Sequence, residues 1–170
     1  MKNFFFCFLV FLPLFALSQN YAKVKRGDSY FLVDTFLKTE YSLVTDVVHL
    51  TPEITALDLR EQQLKEIPDV VFKNTQLKAL LLGRNQLTLL PPEIGALKNL
   101  QSLNLDANQL NRLLPEIGEL NNLLWLDLSG NQLTTLPPEI EKLKNLQVLN
   151  LSRNQLTPLP SAIGELNNLL

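Results

Sequence analysis

The chain repeats itself every 23 residues from Ile54 to Asn168. Five copies follow one another without a gap, at 54–76, 77–99, 100–122, 123–145 and 146–168. Each copy reads approximately L-x-x-L-x-L-x-x-N-x-L-x-x-L-P-x-x-I-x-x-L-x-N. Self-similarity at this period predicts a solenoid, because one copy cannot bury its apolar face alone but stacked copies can. A chain of this kind presents an extended surface, and the repeat itself implies no pocket.

The first half of each copy has the spacing of a short strand. In LLWLDL, Leu126 and Leu128 are two residues apart, which predicts a strand with one buried face. Trp125 and Asp127 then point to the opposite face. The same alternation predicts these inward pairs in the other copies: Leu57 and Leu59, Leu80 and Leu82, Leu103 and Leu105, Leu149 and Leu151.

An asparagine recurs at position nine of the copies, just after each predicted strand, as Asn85, Asn108, Asn131 and Asn154. The chain turns there and leaves backbone groups without ladder partners. A buried amide side chain both donates and accepts, so it can satisfy such groups in its own and the adjacent copy. We therefore interpret the four residues as a structural ladder. The first copy has Gln62 instead, whose longer side chain can still reach.

The second half of each copy predicts a short helical segment. Pro91, Pro137 and Pro160 set an extended conformation, and Pro92 or Pro138 suits a first helical turn. Ile94, Ile117, Ile140 and Ile163 each lie three residues before a leucine, which places both on one face of a helical turn. The third copy departs from this pattern, because Leu114 stands where the others have proline.

The chain opens with MKNFFFCFLVFLPLFALSQN, which has the features of a secretory signal peptide. Lys2 precedes an apolar run, and the predicted cleavage lies between Ser18 and Gln19. The run is short for a membrane span of roughly 20 residues, although an uncleaved anchor stays open as an alternative. These features predict a secreted or cell-envelope protein. Cys7 is the only cysteine, so the mature chain has no disulfide or thiolate chemistry.

The charge of the mature chain also excludes some functions. Without Lys2, 14 Lys and Arg stand against 17 Asp and Glu, and no basic stripe of the kind that binds nucleic acid is present. With His49 as the only histidine and no clustered acid pair, an active site or a metal site is hard to assemble. We expect no enzyme, no cofactor and no metal.

Two segments flank the complete copies. Residues 19–53 are expected to form an N-terminal cap over the first copy, with one helix at about Asp34 to Leu43 and an extended segment near Val47 to Leu50. At the other end, Leu169 and Leu170 begin a sixth copy. An uncapped end exposes leucines and a strand edge, which suggests either self-association or a shortened form of a longer repeat protein.

The copies ALDLREQQLKEIP, SLNLDANQLNRLLPEIGEL, WLDLSGNQLTTLPPEIEKL and VLNLSRNQLTPLPSAIGEL resemble the leucine-rich repeat family. They closely resemble the 23-residue repeats of exported bacterial leucine-rich repeat proteins. The resemblance covers residues 54–170. It implies an α/β repeat solenoid, an arc with a parallel sheet on the concave side and short helical or 3-10 segments on the convex side. It also implies recognition of a protein partner by the concave side, and host components are often proposed as partners.

The outward positions of the predicted strands are the candidate binding surface, because they vary between copies. This surface comprises Leu81, Arg84, Asn104, Asp106, Trp125, Asp127, Val148, Asn150 and Arg153. An exposed aromatic among polar groups is typical of a binding hot spot, so Trp125→Ala is expected to weaken binding while leaving folding nearly intact. Alternatively, Trp125 packs flat across the sheet and binds nothing.

These observations predict a non-catalytic, exported module that binds a protein on its concave face. The alternative is a self-associating structural or surface component, or a shortened remnant of a longer repeat protein.

Overall fold

The computed structural model describes residues 21–26, 29–34, 39–45, 50–157 and 161–170. Eight strands form one sheet and follow one another in chain order across it. They are β1 Tyr21–Arg26, β2 Ser29–Asp34, β3 Thr39–Val44, β4 Ala56–Asp58, β5 Ala79–Leu81, β6 Ser102–Asn104, β7 Trp125–Asp127 and β8 Val148–Asn150. The predicted signal peptide lies outside the described residues.

Strands β4 to β8 come from the five sequence repeats and pair in parallel. Each residue lies beside the residue one period away, so Leu57 pairs with Leu80, Leu80 with Leu103, and Leu103 with Leu126. The leucines on the inner face of this sheet form one continuous buried cluster that runs through all the repeats. Fully burying one such side chain contributes about 1.5–3 kcal/mol before conformational entropy is subtracted. The period alone therefore sets both the strand register and the core.

Opposite the sheet, each repeat turns back through a short helix. The first repeat has one α-helical turn, α1 Val70–Lys73, whereas the others have 3-10 helices at Pro92–Ala96, Pro115–Glu119, Pro138–Lys142 and Ser161–Glu165. Proline stands in the first turn of the second, third and fourth of these five helices, as predicted for Pro92 and Pro138 but not for Pro115. Leu114 takes the same extended conformation as Pro91 and Pro137, so the missing proline in the third repeat does not change the backbone path. Together with the parallel sheet, these segments confirm the predicted α/β repeat solenoid.

The position-nine asparagines lie between the sheet and the helical side, and each one joins two repeats. The Nδ2 group of Asn131 donates to the carbonyls of Leu105 and Leu128, both at 2.9 Å. Its Oδ1 accepts the N–H of Leu110 at 3.0 Å. Gln62 uses its longer side chain to donate to the carbonyl of Thr45 at 2.9 Å. The side chains thus supply the backbone partners that the turn removes.

A second, solvent-exposed asparagine ladder stands at position 23 and was not predicted from the sequence. Each of these amides donates to a backbone carbonyl 24 residues earlier, in the preceding repeat. Its members are Asn99, Asn122, Asn145 and Asn168. The recurring asparagine is visible in the sequence, but its hydrogen bond to the preceding repeat is seen only in the structure.

The N-terminal segment differs from the prediction. Strand β1 pairs antiparallel with β2, and β2 pairs antiparallel with β3. The sequence predicted a helix from Asp34 to Leu43. This prediction is wrong in the described residues, because β2 ends at Asp34 and β3 occupies Thr39–Val44. Strand β3 then pairs in parallel with β4. The reason is that β4 would otherwise present an unpaired edge, and β3 is rich in residues that favour strands. Of the expected extended segment, residues 47–49 lie outside the described residues.

Candidate protein-binding face

The face of the sheet opposite the leucine cluster, termed here the outer face, carries two rows of side chains. The strand register aligns the members of each row on neighbouring strands. One row contains Ala56, Ala79, Ser102, Trp125 and Val148, and the other contains Asp58, Leu81, Asn104, Asp127 and Asn150. Six of the nine sequence-predicted residues therefore lie together on this face: Leu81, Asn104, Trp125, Asp127, Val148 and Asn150.

Trp125 is buried, which corrects the prediction that it is exposed. Its exposed fraction is 1%, and that of Leu81 in the other row is 0%. Neither residue belongs to the leucine cluster, so strand β7 is buried on both of its faces. Period-two alternation identifies the face on which a side chain lies, but it does not tell whether that face is covered.

The burial of Trp125 also changes what its replacement would do. Truncating a fully buried tryptophan to alanine costs about 3–5 kcal/mol through the cavity left behind. Trp125→Ala is therefore expected to destabilise the fold, contrary to the sequence-based expectation. A conservative replacement by phenylalanine is a better probe of binding.

Asp127 is the fourth residue of the second row, and its carboxylate is withdrawn from solvent. Its exposed fraction is 0%, and Oδ1 accepts hydrogen bonds from the Ser129 N–H at 2.9 Å and the Ser129 hydroxyl at 2.7 Å. Asn150 Nδ2 donates to Oδ2 at 3.3 Å. Three neutral donors thus compensate a buried carboxylate, as buried charges require.

Asp106 follows strand β6 and lies near Asp127. Its exposed fraction is 9%, and burial raises its pKa above the usual value, with the Asp127 charge adding to the shift. A hydrogen bond to Asn104 and the charges of Arg84 and Arg60 act in the opposite direction. Gly83 leaves room for this group, because a Cβ there would collide with Asp106 Oδ1 and Asn104 Oδ1.

Arg84 and Arg153 lie in the turn after the strand and not in either row. Both have positive φ, 57° and 55°, as does position eight of every repeat. Only the fourth repeat has a glycine, Gly130, at this left-handed position, where glycine is the residue with the least steric cost. Arg84 Nη1 bonds Glu61 Oε1 of the preceding repeat at 2.9 Å, but both side chains are more than half exposed, so the pair contributes little to stability.

An arginine–carboxylate pair at the N-terminal end of the outer face was not predicted from the sequence. Arg60 Nε and Nη2 donate to the two oxygens of Asp58 at 2.8 and 2.7 Å, and this hydrogen bonding raises the pKa of Arg60 further. The pair borders an open cleft that also involves Thr45 and Gln62. The sequence Asp-Leu-Arg indicates this pair, because residues i and i+2 of an extended segment have their side chains on the same face.

The described residues contain no group of three or more His, Cys, Asp and Glu side chains that could hold a metal ion. Within the same ranges, every helix is too short or too polar to cross a membrane.

A family profile described as leucine rich repeat matches residues 52–110, 98–156 and 121–170. Together these matches cover every complete repeat and most of the chain. The protein belongs to the leucine rich repeat family. Members of this family are in general non-catalytic scaffolds for protein interaction, and the domain is a general protein-binding module. A search of curated protein sequences found no match.

Solved structures of leucine-rich repeat proteins are similar to this chain. A leucine-rich repeat protein of Leptospira interrogans is 35% identical with a TM-score of 0.65, over 75% of this chain and 39% of that protein. The ectodomain of the Arabidopsis thaliana receptor kinase GASSHO1/SCHENGEN3 was solved with CASPARIAN STRIP INTEGRITY FACTOR 2. It is 40% identical with a TM-score of 0.64, over 69% of this chain and 15% of the ectodomain. An internalin of Listeria monocytogenes is 24% identical with a TM-score of 0.64, over 74% of this chain and 36% of the internalin. At this identity the similarity supports the fold alone. This chain therefore spans less than two fifths of each of these structures.

Proposed function

We propose that this chain is an exported, non-catalytic module that binds a protein partner through the concave, outer face of its sheet. The observation that carries the proposal is the chemistry of the two outer rows. Repeat positions three and five are not used by the leucine cluster, and their residue types change from repeat to repeat. Stacking does not require this variation, whereas recognition of a particular partner does.

The middle of the face combines apolar and acidic groups. Leu81 and Trp125 are its large apolar residues there, while Asp106 and Asp127 add two carboxylates. The other members of the Trp125 row on strands β4 to β6 are the small residues Ala56, Ala79 and Ser102, so the indole is the largest side chain of this row. An aromatic residue bordered by polar groups is the usual composition of an interface hot spot.

Access to the outer face is greatest at strand β8. The outer-face residues of β5, β6 and β7 are at most 3% exposed, whereas Val148 and Asn150 of β8 are partly exposed. We therefore expect the partner to contact the face first at β8. Export with cleavage after Ser18 remains part of the functional proposal. A host component fits this setting, since exported bacterial proteins are what the repeats resemble.

Site-specific photo-crosslinking tests the proposal. The full-length precursor is exported and processed, with a photoreactive residue at Val148 on the outer face. It is then incubated with candidate extracellular proteins of a host. A discrete adduct from Val148 is expected, and Trp125→Phe is expected to reduce it because the indole is replaced by a smaller ring. Circular dichroism of the variant confirms that it is folded.

A photoreactive residue at Lys142, on the opposite side of the solenoid, is the matched control because it is exposed and does not lie on the sheet. Adducts that form only from Lys142, or equally from both positions, would show that the outer face is not the binding surface. Self-association is the alternative function, and an adduct of the chain with itself from Val148 would favour it.

A further inference from the structure

A groove between the first two repeats lies away from the outer face of the sheet. It has a volume of about 340 Å³ and brings together Ile67, Phe72, Leu89 and Pro91 as its apolar lining. Ile67 and Phe72 are almost fully buried, but Leu89 is 38% exposed. The groove is therefore anchored in the core at its floor and open to solvent at one wall.

The repeat itself does not explain the leucine at position 89. The equivalent positions in the first, third and fourth repeats are Glu66, Arg112 and Thr135, all of which are exposed polar residues. Stacking thus tolerates a polar side chain at this place in three other repeats. Leu89 therefore adds apolar surface to the wall of the groove that the equivalent residues of those repeats do not have.

Phe72 departs from the repeat in the same way. Its equivalents are Gly95, Gly118, Glu141 and Gly164, so phenylalanine is found in the first repeat alone. The substitution accompanies the change from a 3-10 helix to the α-helical turn Val70–Lys73. Two departures from the repeat, in neighbouring repeats, therefore converge on one groove.

The rim of the groove is acidic. Glu66, Asp69 and Glu93 border it against one cation, Lys65, and all four residues are exposed. None of the ion pairs seen in the described part of the chain involves these carboxylates. The excess of negative charge favours a cationic occupant.

We propose that this groove is a second docking site, for a protein segment that combines apolar side chains with lysine or arginine. An apolar side chain of the segment packs on Phe72 and Leu89, and its basic neighbours face Glu66, Asp69 and Glu93. The site is separate from the outer sheet face, so the proposal stands independently of the function proposed above.

A synthetic peptide of leucine and lysine tests this site on the processed full chain. Binding is measured by fluorescence anisotropy and is located by amide chemical-shift changes in NMR spectra. The peptide is expected to shift the amides of Thr88 and Leu89. Leu89→Thr, which introduces the residue that Thr135 already supplies in the fourth repeat, is expected to weaken binding roughly ten-fold because the buried apolar contact is lost.

Val70→Thr is the matched control. Val70 is also 38% exposed and lies two residues from Phe72, but it does not line the groove. Its replacement is expected to leave the affinity unchanged. A peptide in which glutamate replaces lysine is expected not to bind, and a serine–lysine peptide is expected to bind at least ten times more weakly than the leucine–lysine peptide.

Three results would overturn the proposal. Equal affinity of Leu89→Thr and the unchanged chain would show that the apolar wall is not used. Chemical-shift changes confined to the outer sheet face would place the peptide elsewhere. Sedimentation that shows self-association abolished by Leu89→Thr would make a second copy of this chain the occupant.

Discussion

The side-chain oxygen of Asn108 accepts a 3.0 Å hydrogen bond from the backbone N–H of Leu87, which lies 21 residues earlier in the preceding repeat. The amide nitrogen of Asn108 donates to the carbonyls of Leu82 and Leu105 at 3.0 and 3.1 Å. One side chain thus forms hydrogen bonds with backbone groups of two repeats. All three bonds are buried, so water cannot readily replace them.

Replacing Asn108 by alanine should leave the buried N–H of Leu87 without a partner, whereas the carbonyls of Leu82 and Leu105 keep the hydrogen bonds from Asn85 and Asn131. One buried group left unsatisfied costs about 1–3 kcal/mol, and we expect the free energy of unfolding to fall by about this amount. Denaturant titration followed by circular dichroism measures the change. Asn154→Ala is the comparison, because its equivalent bonds are only partly buried and water can replace them. Equal losses for both variants would contradict the role of burial.

Gly118→Ala is expected to destabilise the 3-10 helix of the third repeat. A Cβ at Gly118 would lie 2.5 Å from the backbone oxygen of Glu139, so the two adjacent repeats would have to move apart. Overpacking of this kind typically costs about 1–3 kcal/mol. The control is Gly164→Ala, at the equivalent position of the fifth repeat, where a Cβ would meet nothing within 4 Å. Thermal unfolding should separate the two variants, and a loss at Gly164 as large as that at Gly118 would refute the steric explanation.

Asp106 is expected to make the protein less stable as the pH rises. Its pKa is raised in the folded state, so between the ordinary aspartate value of about 3.9 and the raised value the folded state binds more protons than the unfolded state. The free energy of unfolding therefore falls across that window, and the ionised group stays destabilising above it. Asp106→Asn should remove this dependence and raise stability at neutral pH. Urea titrations at several pH values test the sign, and a variant with an unchanged pH slope would show that another group is responsible.

Acrylamide is expected to quench the fluorescence of Trp125 only weakly in the folded protein. The indole is 1% exposed, and it is the only tryptophan, so its fluorescence reports on the outer face without interference. We expect a blue-shifted emission maximum in the folded protein and strong quenching only after denaturation. Strong quenching of the folded protein would show that the outer face is open around Trp125.

The repeats were predictable because every copy solves the same packing problem. Leu80 must be buried for the same reason as Leu103, so the period alone identifies both residues as core positions. Asn85 and its equivalents follow the same logic, since each turn leaves the same backbone groups unpaired. Family membership and the solenoid follow from these recurring residues.

The N-terminal strands were not predictable in this way. Thr39–Val44 forms a strand because the edge of β4 offers it unpaired backbone groups, and that edge exists only once the repeats have folded. The local sequence alone is compatible with a helix or a strand at this length.

Sequence by itself thus determined the solenoid, its register, its core and the rows of the outer face, because each depends on spacing along the chain. Tertiary structure alone decided that Trp125 is covered and that Phe72 and Leu89 share a groove. Those outcomes depend on contacts between segments that no local pattern encodes. Alternation places Trp125 on a face, whereas the exposure of that face is a property of the whole folded chain.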